Sequence, residues 1–412
     1  MADVNARRAL LGINVDGFRA FRDSTSIELR PITLLYGRNQ AGKSTLLRLL
    51  PFLADSLQDV PVLDLTSPAL GGATFKELGW LGPRPTQSWS LTLAVPGKRD
   101  ALKTTFSEHD NGVVIANRVE LGGPRDRVLD VRFLGQPRRS AGALEADYGG
   151  TAAGEDWNGR LRFRGLLPEG LPGAAASMLN SVSAALEPVR SAQWLSANRL
   201  ASAEIVTRPA RHCRPDGHDL AEVLRGCEAV VTAASRWLDD MVGEALELRP
   251  DPSGRLRFQL RRPGREPLPL HLAGEGVRAL LPIALCACWR LAEDGDGPTL
   301  LAVEEPEAHL HPSVQIELTN RLIAAADKLP VVLETHSVYI LRAIQLAVVE
   351  GRLQPADVSL YWVEQSGRDP AGAQRVTVNP DATLAGWQPD AFEEEQRLAH
   401  DILDRRWERL DK

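Results

Sequence analysis

The chain has 412 residues, 43% of them hydrophobic and 25% charged, enough to bury a full core in one large domain or several smaller ones. A net charge of −6 excludes a surface that attracts nucleic acid as a whole. The longest apolar runs, such as Ala279 to Trp289, are too short to cross a bilayer and contain proline, and the first residues lack the apolar stretch of a secretory leader. Four cysteines, two of them as Cys286-Ala-Cys288 in an apolar run, read as core thiols, so a cytoplasmic protein with no membrane segment is expected.

In chain order, Leu11 to Phe21 and Ser26 to Arg30 read as a pair of strands feeding a third apolar run, Ile32 to Tyr36. That run enters Gly37-Arg38-Asn39-Gln40-Ala41-Gly42-Lys43-Ser44, and Thr45 to Leu50 then carries a helical pattern. Strand, glycine loop and helix in this order make a phosphate cradle. Glycine lets backbone N–H groups approach an anion, and the helix N-terminus adds partial positive charge. The spacing places Lys43 on the β/γ-phosphates of ATP and the Ser44 hydroxyl at a Mg²⁺ position, with Thr45 opening the helix.

From Ser88 to Arg164 short β-type runs alternate with Gly, Pro and Asp, which predicts an antiparallel arm. Helical periodicity follows over about 174–186 and 219–248, and alternation returns at Arg255 to Leu260. Arginines concentrate at Arg199, Arg208, Arg211 and Arg214 and again between Arg255 and Arg265, which are candidate contacts to a nucleic-acid backbone. Gly274 and Gly276 flank Glu275 ahead of an apolar helix, a second helix start able to take an anion.

Strand–helix alternation resumes after residue 270, so the middle of the chain is an insertion into one α/β domain with a parallel sheet. Leu300 to Val303 is an apolar strand that ends in Glu304 and Glu305. Glu304 would approach Mg²⁺, Glu305 would polarise the water that attacks the γ-phosphate, and Glu307 would cap the next helix. His309 and His311, beside Pro312, lack the further ligands a zinc site needs. Val331 to Glu334 is another apolar strand, and His336 just beyond it would hydrogen-bond the γ-phosphate. The expected layout is a first core half with the glycine loop over 1–87, a β arm over 88–170, a helical lobe with a β return over 171–270, a second core half over 271–365, and a strand with an acidic helix over 366–412.

The ordered set Gly37 to Ser44, Leu272-Ala-Gly-Glu-Gly-Val277, Glu304-Glu-Pro-Glu-Ala-His-Leu-His-Pro312 and Glu334-Thr-His-Ser337 resembles the ABC-type ATPase heads of the RecF/OLD group, AAA-family ATPases of bacterial defence and repair. Asp16 to Phe21, Trp194 to Arg199 and Gly386 to Phe392 extend the likeness over nearly the whole chain. The resemblance implies an α/β P-loop NTPase of the ABC-type head class with an inserted antiparallel β arm and a helical lobe. It also implies ATP and Mg²⁺ as cofactors, and head-to-tail dimers in which Gly274, Glu275 and Gly276 of one copy close the ATP of the other.

Ala273 departs from the usual serine of that signature, Glu304 from the commoner aspartate, and neither Gln58 nor Gln87 makes a convincing glutamine loop. About 75 residues follow His336, too few for an added Toprim nuclease domain, so an effector protein in trans, a nuclease or toxin, is expected. Direct DNA contact stays open. The competing readings are the ATPase subunit of a transporter and an OLD-like nuclease component.

Overall fold

The computed structural model describes residues 8–388 apart from 124, 141, 200–212, 218, 221–223, 225, 251–255, 263, 293–296 and 368, together with 400–403 and 405–406. A nine-stranded antiparallel sheet and a seven-stranded, mostly parallel sheet dominate the described residues.

The antiparallel sheet begins with β1 (Leu11–Asp16) and β2 (Thr25–Leu29). Both alternate buried and less buried positions, as a strand covered on one face must. β3 (Ile32–Gly37), by contrast, is buried at every position and lies in the other sheet. The expected pair of β1 with β2 forms, but it does not lie beside the loop strand: the other edge of β1 pairs with β4 (Ser88–Ala94). From there β5 (Ala101–His109), β6 (Val113–Gly122), β7 (Arg127–Ser140), β8 (Ala143–Ala152), β9 (Glu155–Phe163) and the short β10 (Pro168–Glu169) continue the same sheet by successive antiparallel pairing. The strands expected as an arm thus extend the β1–β2 ribbon and share its core, which includes Trp89, Phe106, Tyr148 and Phe163.

The second sheet has the order β11, β15, β16, β3, β17, β18, β19. Its parallel members are β11 (Ala192–Leu195), β15 (Leu300–Glu304), β16 (Val331–Glu334), β3 and β17 (Val358–Glu364), with β18 (Gly372–Val378) and β19 (Leu384–Ala385) antiparallel at one edge. These parallel strands are near-continuous apolar runs because both faces are covered. Leu35 on one face packs with α1 (Lys43–Ser56) and the large sheet, whereas Ile32, Leu34 and Tyr36 pack on the other face with a second core.

That second core takes in α4 (Glu228–Val242), α5 (Glu275–Leu291), α6 (Pro312–Ala325) and α7 (Val338–Val349). Two shorter helices, α2 (Phe75–Leu78) and α3 (Gly173–Ala185), accompany the large sheet. The helix expected to run to residue 248 stops at Val242, because Gly243 takes a left-handed φ of 69°. Ala245 to Pro250 is instead strand β12, paired with β13 (Leu256–Arg261), which is followed by β14 (Leu268–Pro269). Of the expected C-terminal acidic helix, 400–403 and 405–406 are helical, and the remainder lies outside the described residues.

Candidate nucleotide site

The parallel sheet orders its strands so that the loop after β3, the end of β16 and the end of β15 lie side by side at the carboxyl edge, where open α/β sheets place ligands. Gly37 has φ 146°, and a Cβ there would sit 1.9 Å from the Val363 carbonyl oxygen. Gly42, at φ 100°, would meet the Phe21 ring at 2.9 Å. Both glycines are thus demanded by packing as well as by access to an anion. Arg38, Asn39 and Gln40 are exposed, with Gln40 at φ 63°, while Ala41 is buried. Gly42 is the N-cap of α1 and, having no side chain, leaves the first N–H groups of that 14-residue helix without a side-chain cap.

Lys43 is buried and donates to the carbonyls of Gly37 (3.2 Å) and Arg38 (2.9 Å), which curls its ammonium back over the loop. Burial pulls its pKa below the ordinary lysine value, opposed by the carboxylates of Glu334, Glu305 and Glu307. Ser44 donates its hydroxyl to Glu334 Oε1 at 2.8 Å, and Lys43 Nζ lies 4.0 Å from the same carboxylate.

Glu304 is placed differently from the sequence expectation. Its carboxylate takes Arg48 Nε at 2.5 Å and Arg48 Nη2 at 3.0 Å, Trp194 Nε1 at 3.2 Å and the Ala197 N–H at 3.2 Å. Arg48 in turn lies 4.9 Å over the Trp194 ring. The carboxylate in contact with Ser44 is that of Glu334, which sequence reasoning did not single out. The signal was available: Glu334 ends an apolar strand, as Glu304 does, and the two are opposite each other in register.

Glu305 is partly buried at a left-handed φ of 44°, with its N–H bonded to the Glu334 carbonyl at 2.7 Å. A non-glycine residue held in that region is a strained arrangement that the surrounding structure must over-determine. The Glu307 carboxylate accepts from Thr335 Oγ1 and from the His336 N–H, each at 2.7 Å. It therefore ties the His336 loop to the segment after β15 instead of capping α6, a role filled by His311, which accepts from the Ser313 N–H. The His336 side chain is exposed at the edge, and partial burial together with the Lys43 charge pushes its pKa down, partly offset by Glu305. The downward shift favours the neutral imidazole, which can donate a hydrogen bond without adding charge.

Gly274 caps α5, and nothing lies within 4 Å of where its Cβ would be. Gly276 is the opposite case, since a Cβ there would meet the His309 carbonyl at 2.7 Å. His309 Nδ1 also lies 3.1 Å from Glu275 Oε2 in an exposed contact, so the helix start expected to bind an anion sits against the segment that follows Glu305. Arg199 joins the same parts from inside. Wholly buried, it donates to the carbonyls of Ala279 on α5, of Ser196, and of Glu304 and Glu305.

Arg199 is therefore not a surface contact for nucleic acid, which corrects that expectation. Arg214 pairs with Asp216, Arg261 with Glu247 and Arg262 with Glu244, while Arg208, Arg211 and Arg255 lie outside the described residues. The four cysteines are free thiols, with Cys213, Cys286 and Cys288 buried. Among the described residues no helix is long and apolar enough to cross a membrane.

Residues 192–342, from β11 into α7, match the sequence model of a family described as "AAA domain, putative AbiEii toxin, Type IV TA system". No curated protein matches the chain. Among solved structures, an Smc head bound to the C-terminal winged-helix domain of ScpA is similar at TM-score 0.50 and 12% identity, over 89% of this chain and 98% of that one. An Smc head with an extended coiled coil from Pyrococcus furiosus, bound to the C-terminal domain of ScpA, gives TM-score 0.49 and 11% identity over 95% and 98%. The Smc head of Thermotoga maritima gives 0.38 and 14% over 89% and 98%. The fold is that of the Smc head class, α/β with a large antiparallel sheet beside a mostly parallel one.

Proposed function

We infer that the chain binds and hydrolyses ATP, pairs head to tail around the nucleotide, and uses that closure to control an effector protein. The supporting observation is the convergence of the uncapped loop helix, Lys43, Ser44, Glu305 and His336 at one sheet edge. In this reading, loop N–H groups from Gly37 through Thr45 and the Lys43 ammonium hold the phosphates. Glu305 orients and deprotonates the attacking water, and His336 donates to the γ-phosphate.

The donor set also fits Mg²⁺. Ser44 supplies a hydroxyl, the strand ends supply hard carboxylate oxygens, and Glu334 Oε2 is buried without a hydrogen-bond partner. Bound there with ATP, the ion would neutralise charge developing on the phosphates. Gly274, Glu275 and Gly276 would close the ATP of a second copy, as the open space around Gly274 allows.

The first Smc head named above was solved with a ScpA domain bound, a precedent for a head of this fold that binds another protein. The toxin named in the family description suggests a setting in anti-phage defence, with DNA processing as the related possibility. Phosphate release from ATP by the purified chain tests the reading directly. Turnover that requires Mg²⁺, together with no cleavage of DNA or RNA until a second protein is added, is the expected result. A pure chain that leaves ATP intact would sink it.

A further inference from the structure

Two carboxylates lie side by side at the sheet edge, and their surroundings differ sharply. Glu304, 4% exposed, has four donors on its two oxygens: two from Arg48, one from Trp194 and one from Ala197. Glu334, 6% exposed, has the Ser44 hydroxyl on Oε1, while its buried Oε2 has no hydrogen-bond partner. The Lys43 ammonium stands 4.0 Å from Oε1 and is itself engaged with two loop carbonyls. A buried carboxylate oxygen left open is costly unless a cation or donor completes it. Glu304 needs no such completion.

Strand order creates the difference. β16 lies between β3 and β15, so Glu334 faces the start of α1 directly, and Glu304 is one strand further away. Arg48, a little over one helical turn beyond Ser44, covers Glu304 from the α1 side. We propose that Glu334 is the carboxylate that, with Ser44, receives the divalent cation of the nucleotide, and that Glu304 is a positioning residue that fastens β15 to α1 through Arg48. The proposal rests on the reading of the glycine loop as a Mg²⁺–nucleotide site.

The test uses the full chain and a fluorescent ATP analogue, with equilibrium affinity measured in Mg²⁺ and again in EDTA. Electron paramagnetic resonance of Mn²⁺ in the presence of ATP serves as a second readout. Wild type should bind the analogue more tightly with Mg²⁺. Glu334→Gln should cut that Mg²⁺-dependent gain by about tenfold or more and leave more Mn²⁺ free, while its affinity in EDTA holds or rises as a negative charge is removed. Glu334→Asp keeps the charge but shortens the reach, so it should lose part of the gain and remain informative if the glutamine variant fails to fold.

A full Mg²⁺ gain in both Glu334 variants overturns the proposal. So does a gain that disappears only in Glu304→Gln. Wild type that binds no analogue in either buffer overturns the underlying nucleotide reading, a result distinct from a lost metal effect with binding intact.

Discussion

At the scale of single residues, Lys43 is the only lysine of the glycine loop, and its ammonium is already turned toward the loop carbonyls. Lys43→Ala should weaken ATP binding by about a hundredfold or more, because charge-assisted phosphate contacts contribute roughly 1.5–3 kcal/mol each. Equilibrium binding of a labelled ATP analogue measures this, and unchanged affinity would move the site elsewhere. Glu305→Gln should retain that affinity and slow hydrolysis by about 10²–10⁴-fold, the usual contribution of a positioned general base. Single-turnover phosphate release separates the two effects, and wild-type rates would remove Glu305 from the chemistry. Arg199 answers to stability instead. Its guanidinium satisfies carbonyls of Ser196, Ala279, Glu304 and Glu305 in a fully buried site, and Arg199→Met strands all of them. The loss should be about 3 kcal/mol, read from the urea midpoint, and a shift below about 0.5 kcal/mol would show that the network carries no stability.

At the scale of elements, the start of α5 offers a contrast between two glycines separated by one residue. Gly276→Ala puts a methyl group 2.7 Å from the His309 carbonyl, so α5 and the segment after Glu305 must part, at about 1–3 kcal/mol. Gly274→Ala meets no atom within 4 Å and should cost less than about 1 kcal/mol, the size of an N-cap effect. Denaturant melts of the two variants decide the matter, and equal losses would mean that the Gly276 contact is not sustained. Elements built from local chemistry were legible before the structure: the glycine loop, the apolar strand ending in Glu304 and Glu305, and the glycine-flanked start of α5. Elements that depend on distant pairing were not. Ala245 to Pro250 carries a pattern that continues the preceding helix, and it becomes a strand because Leu256 to Arg261 is there to pair with it. The contacts of Ser44 with Glu334 and of Arg48 with Glu304 span 290 and 256 residues. Motif spacing identifies strands that end in acids, but only the sheet order decides which acid meets the loop.

At the scale of the whole molecule, the question is whether one copy holds a complete site. The close approach of Gly276 to the His309 carbonyl and the buried Arg199 bonds to Ala279, Glu304 and Glu305 join the start of α5 to the segment around Glu305, so a closing motion that brings this surface against a second copy would also move the proposed catalytic base. Head-to-tail pairing then makes each site a composite of one copy's loop and the other copy's helix start. Gly274→Asp should fold and bind ATP normally, since the position is open, yet fail to hydrolyse it, because the new carboxylate would repel the γ-phosphate across the interface. Mixed with Lys43→Ala protein, it should regain activity. In a mixed dimer the loop of the Gly274→Asp copy and the helix start of the Lys43→Ala copy are both intact, whereas the other site carries both lesions. Random exchange at equal concentrations gives mixed dimers in half of the population with one competent site in two, so recovery should approach about a quarter of wild-type turnover if one site fires alone. Phosphate release from the mixture, with subunit exchange verified by tagged copies, supplies the measurement. Exchange without any recovered turnover would leave each copy with a site of its own and remove the dimer from the mechanism.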